Sequence, residues 1–122
     1  LGSLRETKRP KSASRRVEVF DTEKVQGAQL RYRHAGDRIK PLGMEGTQSL
    51  SDYLINRRMD RPLRDQWPVL ARGQDILWVV GFGMAQTAAL TPDTKCETVL
   101  AYSGRLPDET ENQSKERGAY EG

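Results

Sequence analysis

Arginine dominates the chemistry that this chain can offer. Residues 31–72 contain nine lysines and arginines against five acidic residues, a net charge of +4. Guanidinium groups present a planar fork of donors that matches a phosphate group, which the ammonium of lysine does not. The density of arginines therefore indicates a phosphate-rich partner. The candidate binding residues are Arg31, Arg33, Arg38, Lys40, Arg57, Arg58, Arg61 and Arg64.

Catalytic and metal chemistry has little support in the sequence. Metal centres need clustered histidine and cysteine, and the chain has one of each, His34 and Cys96. Neither a Walker-type phosphate loop nor the pyrophosphate loop of adenylating enzymes is present. A nucleophilic pair of Cys96 and His34 stays open as an alternative. The sequence predicts no catalytic residue, no metal site and no cofactor in this domain.

Ordinary solvated ion pairs are the other explanation of the arginines. Cations at the end of a helix also interact favourably with its dipole, which accounts for Arg57 and Arg58 without any partner. From the residues alone, both explanations stay open. The aspartates that would neutralise the arginines are Asp37, Asp52, Asp60 and Asp65.

A short strand and a turn are predicted to position the first of these cations. Residues 29–34 alternate, with Leu30 and Tyr32 on one side and Arg31 and Arg33 on the other. A half-buried strand would place both arginines on the same exposed face. The glycine and aspartate at 36–37 are typical of a tight turn, in which the carboxylate accepts backbone N–H groups.

Two consecutive helices are predicted next. Ser49 begins a capping box with Asp52 at its third position. Apolar residues at helical spacing then predict a helix over about 50–59. A second helix over about 62–67 follows, because a proline suits the first helical turn.

Strands are predicted on both sides of the helices, over 17–20, 76–80 and 97–103. The predicted fold class is α+β. Its architecture is a small mixed or antiparallel sheet, with the two helices inserted between N-terminal and C-terminal strands.

Three parts are expected along the chain. Residues 1–16 carry a net charge of +5 and are predicted to be a basic flexible arm or linker. Residues 17–105 are predicted to form the folded domain, and residues 106–122 are predicted to be a disordered polar tail. The single cysteine fits a reducing, cytoplasmic setting. The longest apolar run, Ile76 to Val80, is far too short to cross a membrane. Because the chain begins with leucine, we expect it to be a piece of a longer protein.

Five sequence blocks, in order and over roughly residues 18–104, resemble the C-terminal domain of tRNA(Ile)-lysidine synthetase. Four of the eight cations, Arg31, Arg33, Arg38 and Arg64, match those blocks, and the other four are inferred from charge alone. The blocks are Phe20–Lys24, Arg31–Gly43, Ser49–Leu54, Arg64–Leu70 and Ile76–Gly81.

The resemblance implies a role within a cytoplasmic bacterial ligase. That enzyme uses ATP to adenylate the wobble cytidine of a minor isoleucine tRNA and attaches lysine to it, giving lysidine. ATP, with magnesium, would belong to an N-terminal catalytic domain that this chain does not contain. The domain itself would be non-catalytic and would hold the tRNA at its acceptor-stem side.

The expected partners are therefore isoleucine tRNA and the enzyme's own N-terminal domain. The alternative is a structural or protein-interaction module without RNA contact. Such a module would pack against the rest of the protein or form a homodimer, using Trp78 and Phe82.

Overall fold

Strands from both ends of the chain surround two central helices in the computed structural model, which describes residues 1–109. This arrangement confirms the predicted α+β class. The helices are α1 (Thr22–Val25), α2 (Leu50–Asn56) and α3 (Arg61–Gln66). The strands are β1 (Ser3–Glu6), β2 (Val17–Asp21), β3 (Gln29–Arg31), β4 (Arg38–Ile39), β5 (Gln48–Ser49), β6 (Val69–Arg72), β7 (Asp75–Val79), β8 (Gly83–Met84) and β9 (Glu97–Ser103).

The strands divide between two sheets. The smaller sheet is antiparallel, in the order β1-β9-β2. The larger has six strands in the order β3-β6-β7-β4-β5, with β8 also paired to β7. Its mixed character comes from one parallel pairing, between Arg38 of β4 and Asp75 of β7.

The hydrophobic core joins both sheets to the helices. Phe20 of the smaller sheet meets Trp78 of the larger sheet edge-on, with ring centroids 5.5 Å apart. Tyr53 and Trp67 are each 2% exposed, as expected for core residues. The indole N–H of Trp67 donates to the carbonyl oxygen of Val80 at 2.8 Å, which fixes the chain after α3 onto the end of β7.

Helix α2 begins at the predicted cap but ends three residues before the prediction. Ser49 Oγ accepts a hydrogen bond from Asp52 N at 3.0 Å. Helix α3 begins at Arg61, one residue earlier than predicted, and has a proline in its first turn.

The early end of α2 is a Schellman motif. Arg58 N donates to Ile55 O at 2.8 Å, and Met59 N donates to Leu54 O at 3.0 Å. Met59 is buried because such a motif brings the residue after the turn back onto the last helical turn. The spacing of Met59 from the apolar residues before it is also that of a helix, although Met59 lies beyond the end of α2. The predicted end of the helix at residue 59 was therefore wrong.

Arg58 occupies a backbone conformation that favours glycine. Its φ is +61°, the one positive value at a non-glycine residue among those the structure describes. We expect Arg58→Gly to raise the free energy of unfolding by about 0.5–1 kcal/mol, because glycine adopts this conformation without a steric penalty. Urea denaturation measures the change.

Arg58→Ala is the matched control, since it removes the same charge but keeps the strained conformation. Arg58→Ala should therefore raise the free energy of unfolding much less than Arg58→Gly does. Equal stabilisation by alanine and glycine would show that charge repulsion, and not the backbone, sets the effect.

The predicted flexible arm over residues 1–16 is wrong for Ser3–Glu6, which form β1. This strand pairs with β9, Leu4 lying opposite Tyr102. Leu4 also packs against the core. Pairing through the main chain needs few apolar side chains, so a basic, polar sequence concealed the strand.

The predicted tail over 106–122 begins too early. Leu106 is fully buried in the core. The next residues are held by ion pairs, Arg15 to Asp108 at 2.9 Å and Arg16 to Glu109. The ordered chain thus continues past residue 105, and residues 110–122 of the predicted tail lie outside the described residues.

Candidate nucleic-acid interface

A buried carboxylate organises the turn between β3 and β4. Asp37 is 4% exposed. Its carboxylate accepts two hydrogen bonds from Arg31, at 2.9 Å from Nη1 and 2.8 Å from Nη2, and one from the backbone N–H of His34 at 2.7 Å. The predicted role of Asp37 in the turn is confirmed. Because Asp37 O also accepts from Leu50 N at 2.9 Å, the turn is joined to the start of α2.

The Asp37 carboxyl is held in its charged form. Burial raises its pKa, but the hydrogen bonds from Arg31 and His34 and the positive charge of Arg31 together outweigh burial. The net result is a pKa below the ordinary value of 3.8. The positive charge of Arg31 is therefore neutralised inside the fold by the Asp37 carboxylate.

Arg31 does not lie on an exposed strand face, and that prediction was wrong. Its side chain is 16% exposed. Besides Asp37, its guanidinium donates to Tyr32 O at 2.8 Å and Gly73 O at 2.9 Å. Strand β3 ends at Arg31, so the alternation does not extend to Arg33. These contacts make Arg31 a positioning residue that fastens the turn to the loop between β6 and β7.

Arg33 connects the two central helices. Its Nε and Nη2 donate to Asp65 Oδ1 of α3 at 3.1 and 2.6 Å, and its Nη1 donates to Ser51 Oγ of α2 at 2.9 Å. The side chain keeps 23% of its surface exposed. Arg33 thus uses its guanidinium to join α2 and α3, and only the exposed part of its side chain remains accessible to a partner.

Arg38 is more open than Arg31 and Arg33. Its Nε donates to Asp75 at 2.7 Å, and both side chains are more than half exposed. An exposed pair of this kind contributes about 0–1 kcal/mol, so a polyanion can displace the carboxylate at small cost.

Three arginines at the junction of α2 and α3 form a separate group, which we call the junction arginines: Arg57, Arg58 and Arg61. All three are exposed. Within residues 1–109 none of them has a carboxylate partner. The guanidinium of Arg57 lies over the Tyr53 ring, with its carbon 3.8 Å from the centroid. Among the predicted arginines, and within the part of the chain that the structure describes, the junction arginines are those that are both exposed and without a carboxylate partner.

The remaining two predicted cations differ from the junction arginines. Arg64 Nη1 donates to Met59 O at 2.9 Å, and its Nε is buried without a hydrogen-bond partner. Lys40 is half-buried, and like the junction arginines it has no carboxylate partner within residues 1–109. Arg64 thus stabilises the chain between the helices.

Helix α2 separates the predicted cations into two groups. Arg38 pairs in register with Ser49, at the start of α2, and the junction arginines lie at its end. Seven helical residues span about 10 Å. Arg38 and the junction arginines therefore lie at opposite ends of a helix about 10 Å long.

Two further cations were not among the sequence candidates. Arg72 Nη1 donates to Lys24 O at 3.1 Å and to Glu23 O at 3.4 Å, and the residue is exposed. Arg15 lies 6.0 Å from the centre of the Trp67 ring. Arg72 ends the positive block of the sequence, which was the available signal. Arg15 belongs to the basic segment 1–16, but its position beside Trp67 depends on contacts distant in sequence.

Residues 1–109 show neither a metal centre nor a membrane-spanning helix. In this range no group of three His, Cys, Asp or Glu side chains is placed to hold a metal ion. Cys96 is exposed just before β9. None of the helices in this range has the length and hydropathy needed to cross a bilayer.

Fold and charge together define an α+β module with an arginine-rich surface, and comparison with known proteins identifies its family. Residues 28–101 match the family described as the TilS substrate C-terminal domain. The chain belongs to this family, as the sequence blocks indicated.

Two bacterial relatives support the same family. The chain is 35% identical over 88 residues to the tRNA(Ile)-lysidine synthase of Caldanaerobacter subterraneus subsp. tengcongensis, covering 71% of this chain and 19% of the relative. It is 35% identical over 94 residues to that of Clostridium tetani, covering 76% and 20%. The chain thus spans about a fifth of the length of these relatives.

A solved structure supports the fold. The crystal structure of a TilS C-terminal domain superposes with a TM-score of 0.61 at 27% sequence identity. The match covers 85% of this chain and 82% of that one.

Proposed function

We propose that this domain binds the tRNA substrate of a tRNA(Ile)-lysidine synthase and does not itself carry out the ligation. The observation that carries the proposal is the set of junction arginines, exposed and without carboxylate partners among the described residues. Side chains do not easily read the deep groove of A-form RNA. The domain would therefore neutralise backbone phosphates and recognise the shape of a stem, at the acceptor-stem side.

The paired arginines have different roles in this proposal. Arg38 joins the phosphate contacts by leaving its exposed pair with Asp75. Arg33 holds α2 and α3 at a fixed separation through Ser51 and Asp65. Arg31 supports the turn that carries Arg38. Lys40 follows Arg38 closely in the sequence, and Arg64 follows the junction arginines. Both add positive potential to the surface.

A salt titration tests the proposal. The chain should bind isoleucine tRNA at low salt, and log K should fall linearly with log salt concentration, with a slope of about −2 to −4 for three or four phosphate contacts. The reason is the release of counterions from each neutralised phosphate. Fluorescence anisotropy of labelled tRNA across a salt series measures the slope.

A duplex DNA of similar charge is the control for shape. B-form DNA should show a comparable salt slope but weaker binding, because its groove geometry differs from that of an RNA stem. Absence of tRNA binding at the lowest salt would refute the proposal.

The reaction itself would be carried out by the rest of a longer protein. In this proposal ATP and magnesium act in an N-terminal catalytic domain, which adenylates the wobble cytidine and attaches lysine. The C-terminal module increases the time that the correct tRNA stays bound. We assign the whole enzyme to the bacterial cytoplasm, where its tRNA substrate is found.

A protein-interaction role is the second candidate, and exposed apolar residues favour it. Leu42 and Met44 are 51% and 48% exposed in the loop after β4. Trp78, one of the two residues expected to form such a contact, is 2% exposed and belongs to the core. Size-exclusion chromatography over a range of concentrations separates the candidates, because a dimer that ignores RNA and salt would favour this one.

A further inference from the structure

Three aromatic rings lie in a row between two arginines on this domain. The carbon of the Arg15 guanidinium is 6.0 Å from the Trp67 ring centre, and that of Arg57 is 3.8 Å from the Tyr53 ring centre. Phe82 lies between the two rings, 5.8 Å from Trp67 and 6.2 Å from Tyr53, edge-on to both. The row therefore runs from one cation to the other through Phe82.

Phe82 is the ring of this row that reaches solvent. Trp67 and Tyr53 are each 2% exposed, whereas Phe82 is 36% exposed. The two buried rings hold Phe82 from the side of the core. Over a third of its surface is left available to a ligand.

The backbone presents Phe82 at a fixed position. It lies in the turn between β7 and β8, flanked by two glycines that cannot be replaced without strain. Gly81 has φ +73°, and a Cβ there would approach Leu106 Cδ1 to 2.7 Å. A Cβ at Gly83 would collide with the hydroxyl of Tyr53. The packing of Phe82 against Trp67 and Tyr53 restricts the ring, which lowers the entropy lost when a ligand stacks on it.

We propose that Phe82 is a stacking platform for an unpaired nucleobase, with Arg57 contacting a phosphate on one side and Arg15 contacting one on the other by leaving its surface pair with Asp108. The proposal rests on the proposed function and adds a site to it. Stacking of a base on an aromatic side chain beside a positively charged groove is a general way to bind single-stranded nucleic acid. An RNA stem with an unpaired end would use this site together with the junction arginines.

The charges around Phe82 favour RNA over protein as its ligand. Protein interfaces also contain aromatic residues and arginine, but a local excess of positive charge on one surface is typical of a nucleic-acid partner. Here guanidinium groups lie at both ends of the row, and Arg58 and Arg61 lie beyond Arg57 in the chain. This is the charge expected next to a phosphate backbone.

Two RNA hairpins that differ only at one end test the platform. One is blunt, and the other carries unpaired nucleotides; both are measured by fluorescence anisotropy at one salt concentration with the 122-residue chain. The wild type should bind the extended hairpin about 5-fold or more tighter than the blunt one, from the stacking of at least one base. Phe82→Leu should lower the affinity for the extended hairpin to that for the blunt one and so remove this preference. Phe82→Tyr should keep it, and Leu42→Ala, which shortens an exposed apolar side chain elsewhere, should have no effect.

The outcomes separate this inference from the proposed function. Equal binding of both hairpins by the wild type, or a preference that survives Phe82→Leu, would overturn the platform and leave the domain's RNA binding intact. Failure to bind either hairpin would overturn both. A wild-type dimer that Phe82→Leu converts to a monomer would also overturn the platform, since the ring would then serve a protein contact.

Discussion

Replacing Asp37 with alanine is expected to lower the free energy of unfolding by about 3–5 kcal/mol, because it leaves a largely buried guanidinium without its counter-charge. The carboxylate holds Arg31 through two hydrogen bonds and also accepts the N–H of His34. Its removal frees the turn that carries Arg38 and begins α2. Urea denaturation followed by circular dichroism measures the change.

Asp75→Ala is the control, since it also removes an aspartate paired to an arginine. That pair is exposed, and its removal should cost about 0–1 kcal/mol. Comparable destabilisation by the two variants would contradict a special role for the buried pair.

The contribution of Asp37 should depend on pH in a defined direction. Its folded pKa lies below the unfolded value, so the stabilisation is present above about pH 4, close to the unfolded pKa. It is lost as pH falls through the lower, folded pKa. The stability difference between wild type and Asp37→Asn should therefore shrink as pH falls below about 4. A stability difference between wild type and Asp37→Asn that grows on acidification would contradict a lowered pKa of Asp37 in the folded state.

Neutralising all three junction arginines should produce the largest loss of RNA affinity. We expect Arg57→Gln, Arg58→Gln and Arg61→Gln together to weaken binding of isoleucine tRNA by about two orders of magnitude at roughly 0.1 M salt. The slope of log K against log salt should become less steep by about 2–3, one increment for each phosphate that is no longer neutralised. The same anisotropy titration used for the wild type gives both numbers.

A second triple variant controls for net charge. Arg5, Lys8 and Lys11 are exposed cations of the N-terminal region, and their replacement by glutamine changes the total charge equally. This variant should retain most of the affinity. If both triples weaken binding to the same extent, the domain attracts RNA through its overall charge and has no local site at the helix junction.

Arg58 links stability with binding. Arg58→Gly and Arg58→Ala remove the same cation, so they should weaken RNA binding equally while differing in stability. At position 58 an arginine therefore supplies a positive charge at a cost in backbone stability.

Local chemistry explains what the sequence predicted well. The turn around Asp37 and the start of α2 depend on residues only a few positions apart, and both were found. The end of α2 was misplaced because Met59 satisfies helical spacing and a Schellman turn equally well.

Long-range pairing explains what the sequence did not reveal. The aspartates that hold Arg33 and Arg38 lie 32 and 37 positions away. Leu4 of β1 pairs with Tyr102 of β9, although the two residues lie far apart in the sequence. Composition gives the number of charges and their order, but which arginines stay open depends on how distant segments meet in the fold.

Strand β1 has a practical consequence for handling this domain. It shields one side of β9, which would otherwise present unpaired N–H and C=O groups to neighbouring molecules. A version trimmed to begin at β2 would exchange the short, charged edge of β1 for the longer and more apolar edge of β9, which is more prone to strand-to-strand aggregation. The first residues should therefore be retained for expression, crystallisation or fusion to other proteins.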